Sequence, residues 1–600
     1  MTLNRREAIL LAAAAAAPLP AVAADSEDSR LSGLFDTFFA EDLQQNPERA
    51  TLLGFDKGAN APLKAKLTDE SLAAVAERKA RTADQLARLT RINRAALSEP
   101  RKVDYDTVAY TLRSQGRLMA FDFGGSGSPY VISQNTGSYQ STPDFLDTKH
   151  AIVTDADAEA YLSRLSGYGD QLDQESERFR HDTGLGVVPP DFILDTVLVQ
   201  LDAQRKPAED ATLVKSIRNR AAAKGLASRY GDEAAKIWAG KVMPALDRQR
   251  AVVERAKSHA VHAAGIGGRP QGQAWYAAAL QAATTTNLTP AEVHKLGLDQ
   301  AVQIEARLDG LLKAQGLTKG TVGERIAALY KDPASFFPNT DAGKADAIAY
   351  CNGRLAAIRP HLPNDFKRLP PYAFEVRRVP TEIEAGAASA YSQGPALDGS
   401  RPGIVYINLR DTAEWPRWSL SSVIFHEGLP GHQLEGGLAL SNKSLPLIRK
   451  TIGFSGYAEG WALYAEQLAD EMGMYDHDPL SRIGYLKFQL FRAGRCVADT
   501  GLNHLGWSRE KAVSYFEALD ADAPGFATRE VDRYCTTAGQ GCSYKIGHTV
   551  FVRARARAKA ALGSRFDIRD FHAAGLDCGR VPLDVLDGVI DRWIASQKRV

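Results

Sequence analysis

The run Val423-Ile424-Phe425-His426-Glu427-Gly428-Leu429-Pro430-Gly431-His432 ends an apolar stretch with two histidines and a glutamate. A zinc hydrolase needs that set of groups. Two neutral imidazoles and a third protein ligand hold the ion, and an open position keeps a water made more acidic by the cation. A neighbouring glutamate, here Glu427, accepts the proton as that water attacks a carbonyl carbon. The usual zincin spacing sets the histidines at i and i+4, about 400° of helix apart and so nearly on one face. In this chain they stand at i and i+6, about 600° apart, which leaves His432 about 120° off the face of His426. A straight helix therefore fails as a chelate. Pro430 cannot donate to the His426 carbonyl and its ring crowds it, while Gly428 and Gly431 tolerate unusual dihedrals. The expectation is a bulge that returns His432 to the side of His426. The competing reading is a helix C-terminus, with Gly-Leu-Pro-Gly as a turn and the histidines as polar caps.

A chelate also needs a third ligand. Downstream, Gly456–Gln467 reads as a helix with Glu459, Glu466 and Asp470 on one stripe. Glu459 follows His432 by twenty-seven positions, room for a connection and a return helix. That is the layout of zincins whose third ligand is a glutamate. The alternative is a solvated stripe, the usual fate of acids at i and i+7. Tyr457, Trp461 and Tyr464 argue that much of this helix is buried, and buried carboxylates need a partner such as a cation. His259 and His262 form a rival pair at i, i+3, but no acid lies between them, so they read as surface residues. Gly124–Ser128 lacks the last glycine of a nucleophile elbow, and Gly265-Ile266-Gly267 lacks the third glycine of a dinucleotide fingerprint.

These side chains require a scaffold. Helix-type periodicity runs through Glu70–Leu97, Ala208–Ala264, Pro290–Gln315 and Leu445–Met472, which predicts a mainly α protein. Strand-like runs at Tyr372–Val379 and Gly403–Leu409 predict a small β-sheet next to the zinc-binding helix. Gly124–Ser128 and Gly265–Gly272 read as surface loops. A chain of 600 residues, 44% hydrophobic and 24% charged, can bury a large core. The 73 basic against 72 acidic side chains leave a net charge of +1, which argues against nucleic acid as a partner. Five cysteines are too few to staple such a chain, although Cys535 and Cys542 are close enough in sequence to pair in an oxidising compartment.

The first 24 residues read as an export signal. Arg5 and Arg6 precede an apolar stretch from Ala8 to Ala17, then Pro18 and Pro20 lead into the small residues Ala21-Val22-Ala23. The stretch is too short for a comfortable membrane span. Cleavage after Ala23 or Ala24 is expected, leaving residues 25–600 as a single periplasmic or secreted domain without stable membrane insertion. Asn4-Arg5-Arg6-Glu7 is similar to a twin-arginine signal, a general secretory signal being the plainer alternative.

The chain resembles the bacterial family catalogued as domain of unknown function 885, regarded as zinc metallopeptidase-like. The likeness rests on Asn46–Gly54, Leu397–Gly403, His426–His432, Tyr457–Ala462, Asp499-Thr500-Gly501, Gly506–Arg509, Ser543–Gly547 and Val581-Pro582-Leu583. It implies a large helical zincin-like body with a central cleft, its zinc-site core at about 370–550. It further implies one Zn2+ per chain on His426, His432 and Glu459, with Glu427 as base. Ser543–Gly547 resembles the stabilising-tyrosine region of helical gluzincins, which makes Tyr544 the candidate donor to an oxyanion. Packing is its alternative role. Arg495 and Lys545 are candidates to bind the carboxylate of a peptide C-terminus, as a forked and a point-charge donor. Surface exposure is the default for either. The function implied is an exported zinc-dependent peptidase acting on peptide substrates, with carboxypeptidase and dipeptidyl carboxypeptidase among its forms. The alternative is a non-catalytic peptide-binding or scaffold protein that keeps the helical cleft. The sequence departs from the family at Gln433 and Asn503, where many relatives have histidine, and at Cys535–Ala538 and Cys542.

Overall fold

A computed structural model describes residues 26–599 apart from 126, 382–383, 385–388, 396–400 and 521–524. The expected export signal, residues 1–24, and Leu397–Ser400 of the family motif lie outside the described residues. The rest is mainly α-helical with one three-stranded sheet. Periodicity therefore predicts the class correctly.

Two large hydrophobic clusters organise it. The first surrounds α1 (Asp155–Gly184), which opens with a capping box between Thr154 and Asp157. Tyr161, Leu165, Tyr168 and Leu172 of α1 join Ala245, Leu246 and Val253 of α2 (Met243–Lys257) in that cluster. The periodic run Ala208–Ala264 is not one helix. It stops after Ala223, where Gly225 takes φ +68°, and restarts at Arg229.

The second cluster contains α3 (Gly272–Thr284), α4 (Pro290–Ala314), α5 (Asp341–Ile358) and the strands β1 (Phe374–Arg378), β2 (Ala390–Gln393) and β3 (Gly403–Ile407). Beyond the sheet come α6 (Arg417–Glu427), α7 (His432–Ser441), α8 (Ser455–Glu471), α9 (Pro479–Asn503), α10 (Phe526–Thr536) and α11 (Ser543–Leu562). The capping box of Thr289 and Glu292, with Pro290 in the first turn, starts α4 where the periodicity does. α4 lies along α9, and a short helix, Leu447–Thr451, separates the start of the Leu445–Met472 run from α8.

In the sheet, β3 is central. It pairs in parallel with β1, Val376 opposite Val405, and antiparallel with β2, Tyr391 opposite Tyr406. β2 has no sequence signature because Ala-Tyr-Ser-Gln is short and polar, and its strand character comes from pairing with β3. Gly265–Gly272 is a surface loop only in part, with Gly268, Pro270 and Gln271 exposed and its start buried. Ile266 is fully buried, and a Cβ on Gly265 or Gly267 would run into the carbonyls of Leu502 and Asn503 at the end of α9. Among the described residues no helix is long and apolar enough to cross a membrane.

Candidate metal centre

α6 carries His426 and ends one residue later. The Gly428 N–H closes the helix on the Ile424 carbonyl at 2.8 Å, the Leu429–Pro430 peptide is cis, and α7 starts at His432. The expected bulge is thus a complete break between two helices. Pro430 offers no N–H and its ring crowds the preceding turn, so the helix terminates instead of absorbing an extra residue. Gly431 passes so close to the end of α6 that a Cβ there would collide with the carbonyl oxygens of His426 and Phe425. The break brings the two imidazoles edge to face, with ring centroids 5.0 Å apart at 89°. They are not separate polar caps.

Glu459 meets both rings from α8. Its Oε2 lies 3.4 Å from His426 Nε2 and 3.3 Å from His432 Nε2. One ligand atom from each of the three residues lies within 4.8 Å of the others. A tetrahedral ion with bonds of about 2.0–2.1 Å sets its ligand atoms about 3.3–3.4 Å apart. The donor set therefore fits a divalent metal such as Zn2+. α8 reaches this position because it crosses α11 at Gly460 and Gly547, where either Cβ would meet the other backbone.

Glu466 stands behind His426. Its Oε1 is 2.8 Å from His426 Nδ1, and its Oε2 accepts from Ser422 Oγ at 2.7 Å. An ionised carboxylate only accepts, so Nδ1 carries the hydrogen and Nε2 faces Glu459. With Glu466 only 1% exposed, the solvated-stripe reading fails at this residue. Asp470, the third acid of that stripe, pairs with Arg482 at 2.8 Å.

The electrostatics ask for a positive centre. Burial opposes the charged form of His426, but the Glu459 and Glu466 carboxylates outweigh it and raise the imidazole to about 9. Burial pushes the Glu459 carboxyl up, and the His432 and His426 rings bring it well below the usual range.

The remaining sequence candidates divide. Glu427 is half-buried at the end of α6, and its carboxylate has no hydrogen bond or ion pair among the described residues. Tyr544, in the first turn of α11, sets its ring 6.3 Å from that of His426 at 17°. Arg495 and Lys545 are both buried, which corrects the default of surface exposure. Arg495 donates to Glu530 at 2.7 Å and holds its guanidinium 4.7 Å from the Tyr544 ring centre. Lys545, about 100° further round α11, donates instead to Gln489 at 2.8 Å. Burial lowers its ammonium to about 7. Arg495 lies on α9 and Lys545 on α11, and each helix packs against several others, so side chains expected in water are enclosed.

Sequence reasoning gave no role to Glu466, Ser422 or Arg492. Their signal is spacing: Ser422 precedes His426 by four, Glu466 follows Glu459 by seven, and Arg492 precedes Arg495 by three. Gln433 donates to Ser392 Oγ at 2.6 Å and the Gln393 carbonyl at 3.0 Å, tying α7 to β2. Asn503 accepts from the Ile266 N–H at 3.1 Å. Cys535 and Cys542 are free thiols. His262 is exposed, its two ring nitrogens engaged by Asp191 and Glu510 at 2.8 and 3.0 Å.

The chain belongs to the family described as bacterial protein of unknown function (DUF885), which matches residues 47–590. Two solved structures share its fold. One, described as a candidate lipoprotein from Colwellia psychrerythraea, is 29% identical with a TM-score of 0.90, covering 95% of this chain and 100% of that one. The other, described as a candidate lipoprotein of unknown function from Shewanella oneidensis, is 18% identical with a TM-score of 0.69, covering 94% and 100%. No curated protein matches the sequence.

Proposed function

We propose that this DUF885 protein is an exported, zinc-dependent peptidase. The observation that carries the reading is the convergence of His426, His432 and Glu459, backed by Glu466, beside a glutamate whose carboxylate has no partner among the described residues. Export is supported by the composition of residues 5–23 and by the description of the Colwellia protein as a lipoprotein.

His426, His432 and Glu459 would hold the ion. When bound, a zinc ion supplies a Lewis acid and makes a water in its open position more acidic. Glu427, whose carboxylate is not engaged by the described residues, accepts a proton from the attacking water and passes it to the departing amine. Tyr544 donates its hydroxyl to the oxyanion that develops on the substrate carbonyl. Glu466 keeps the His426 ring turned so that Nε2 faces inward. An extended substrate adds to β2. The central strand β3 already has a partner on each side, whereas β2 is an edge, and its Ser392 Oγ donates to the Glu427 carbonyl at 3.2 Å.

The test is metal analysis of the purified mature chain, followed by mass spectrometry of a peptide mixture incubated with it. One zinc per chain is expected. Glu427→Gln should retain that zinc while hydrolysis falls about 100- to 10,000-fold. A chain that takes up no metal, or a variant as active as its parent, removes the proposal.

A further inference from the structure

A second feature of α9 bears on what such a peptidase would cut. Arg492 and Arg495 stand one turn apart on this helix and gather around the Tyr544 ring, their guanidinium carbons 5.4 and 4.7 Å from its centre. Arg495 is committed to the protein. It donates to Glu530 at 2.7 Å, and the same carboxylate accepts from Tyr534 Oη at 2.8 Å.

Arg492 is different. Aromatic rings brace it, Phe488 at 5.1 Å and Phe491 at 5.2 Å in addition to Tyr544. Its Nε is buried without a partner, and no carboxylate or carbonyl bonds its guanidinium among the described residues. The residue is half-buried, so part of it remains reachable from solvent. A cation held in place by rings but left without a counter-ion bears a desolvation cost that a bound anion would relieve. Glu530, the acid beside Arg495, already serves that residue and lies 3.7 Å from Arg533.

We propose that Arg492 binds the α-carboxylate of a peptide substrate, so that the enzyme removes residues from the C-terminus. A guanidinium matches a carboxylate with two parallel hydrogen bonds. The site is one ring away from the metal centre, because the Tyr544 ring beside Arg492 lies 6.3 Å from that of His426. An internal segment of a long chain brings no charge to this position, whereas a free C-terminus does. The inference rests on the peptidase reading, which names the bond that is cut but not the end from which it is approached.

The experiment uses the zinc-loaded mature chain and one hexapeptide in two forms, with a free C-terminal carboxylate and with a carboxamide. A third peptide, amidated but with glutamate in the last position, separates an α-carboxylate from a side-chain acid. The free acid should be cleaved about 100-fold faster than either amide, judged by kcat/KM. Arg492→Met should reduce cleavage of the free acid by a similar factor, mainly through KM, and leave the amides within about threefold. Arg492→Lys should recover part of the loss. Equal cleavage of acid and amide by the parent chain, or an unchanged preference in Arg492→Met, overturns the proposal. If no peptide is cleaved the peptidase reading has failed, and binding then decides the anchor alone. An N-acetyl dipeptide acid should raise the Tm of the parent chain but not that of Arg492→Met, while its amide raises neither. Absence of that difference overturns the anchor as well.

Discussion

His150 and His426 are both buried imidazoles with a charged side chain against one nitrogen, yet they titrate in opposite directions. In the α1 region, His150 Nδ1 accepts from Arg164 Nη1 at 2.9 Å and Nε2 donates to the Asp157 carbonyl at 2.9 Å. Burial, helped by the Arg164 charge, lowers this imidazole to about 4. Arg164 in turn reaches the Lys66 carbonyl at 2.8 Å, the Leu63 carbonyl at 3.2 Å and Thr51 Oγ1 at 2.7 Å. Every group there finds its complement in the chain. At the candidate metal centre the neighbours of His426 are carboxylates, and they raise it to about 9. Here the acids outnumber what the protein offers them. A buried polar cluster closed by its own backbone holds the fold together, and one left with converging acceptors has room for a cation.

Substitutions can break this contrast. The largest effect is expected from His432→Ala, which removes a proposed ligand. Metal content should drop from one zinc to none and hydrolysis to background, with the circular dichroism of the parent retained. Arg164→Met should do the reverse. Loss of a buried cation that satisfies several carbonyls is expected to cost about 3–5 kcal/mol in urea unfolding, with zinc per folded chain unchanged. A variant that unfolds no more easily but loses zinc would mean the two regions are not independent.

Smaller changes sharpen the comparison. Glu466→Gln keeps the shape behind His426 but removes the charge, and zinc affinity should fall about 10- to 100-fold in a competitive chelator titration. The pH dependence should separate the two histidines in the metal-free chain. His150 has a folded pKa below its unfolded value, so its contribution is complete above about 6.5 and is lost as pH falls toward about 4. His426 has a raised folded pKa, so its contribution is complete below about 6.5 and is lost as pH rises through about 9. Each slope is at most about 1.4 kcal/mol per pH unit. His150→Gln should flatten only the acid side of the stability profile, and zinc loading should remove only the alkaline decline.

Much of the centre is legible in the residues themselves. Types and spacing single out His426, His432 and Glu459 because a glutamate stands beside His426, Pro430 and Gly431 interrupt the turn before His432, and aromatic residues flank Glu459. The aromatic residues Tyr457, Trp461 and Tyr464 mark α8 as buried, as all three are. Harder to read are contacts between elements far apart in sequence. The partnership of His426 with Glu466 spans forty residues, and the position of Tyr544 beside His426 depends on the close crossing of Gly460 and Gly547. Strand β2 and the buried start of the turn at Gly265–Gly272 depend on their neighbours in the same way.

By itself the sequence determined the helical class, the candidacy of His426, His432 and Glu459, and the need for a departure from regular helix between the histidines, because these follow from residue types, periodicity and rotation per residue. Only the tertiary structure decided that the break is complete, that Glu466 orients His426, and that Arg495 and Lys545 face different partners. Those outcomes depend on which helices approach closely enough to exclude water, and no local pattern encodes that distance.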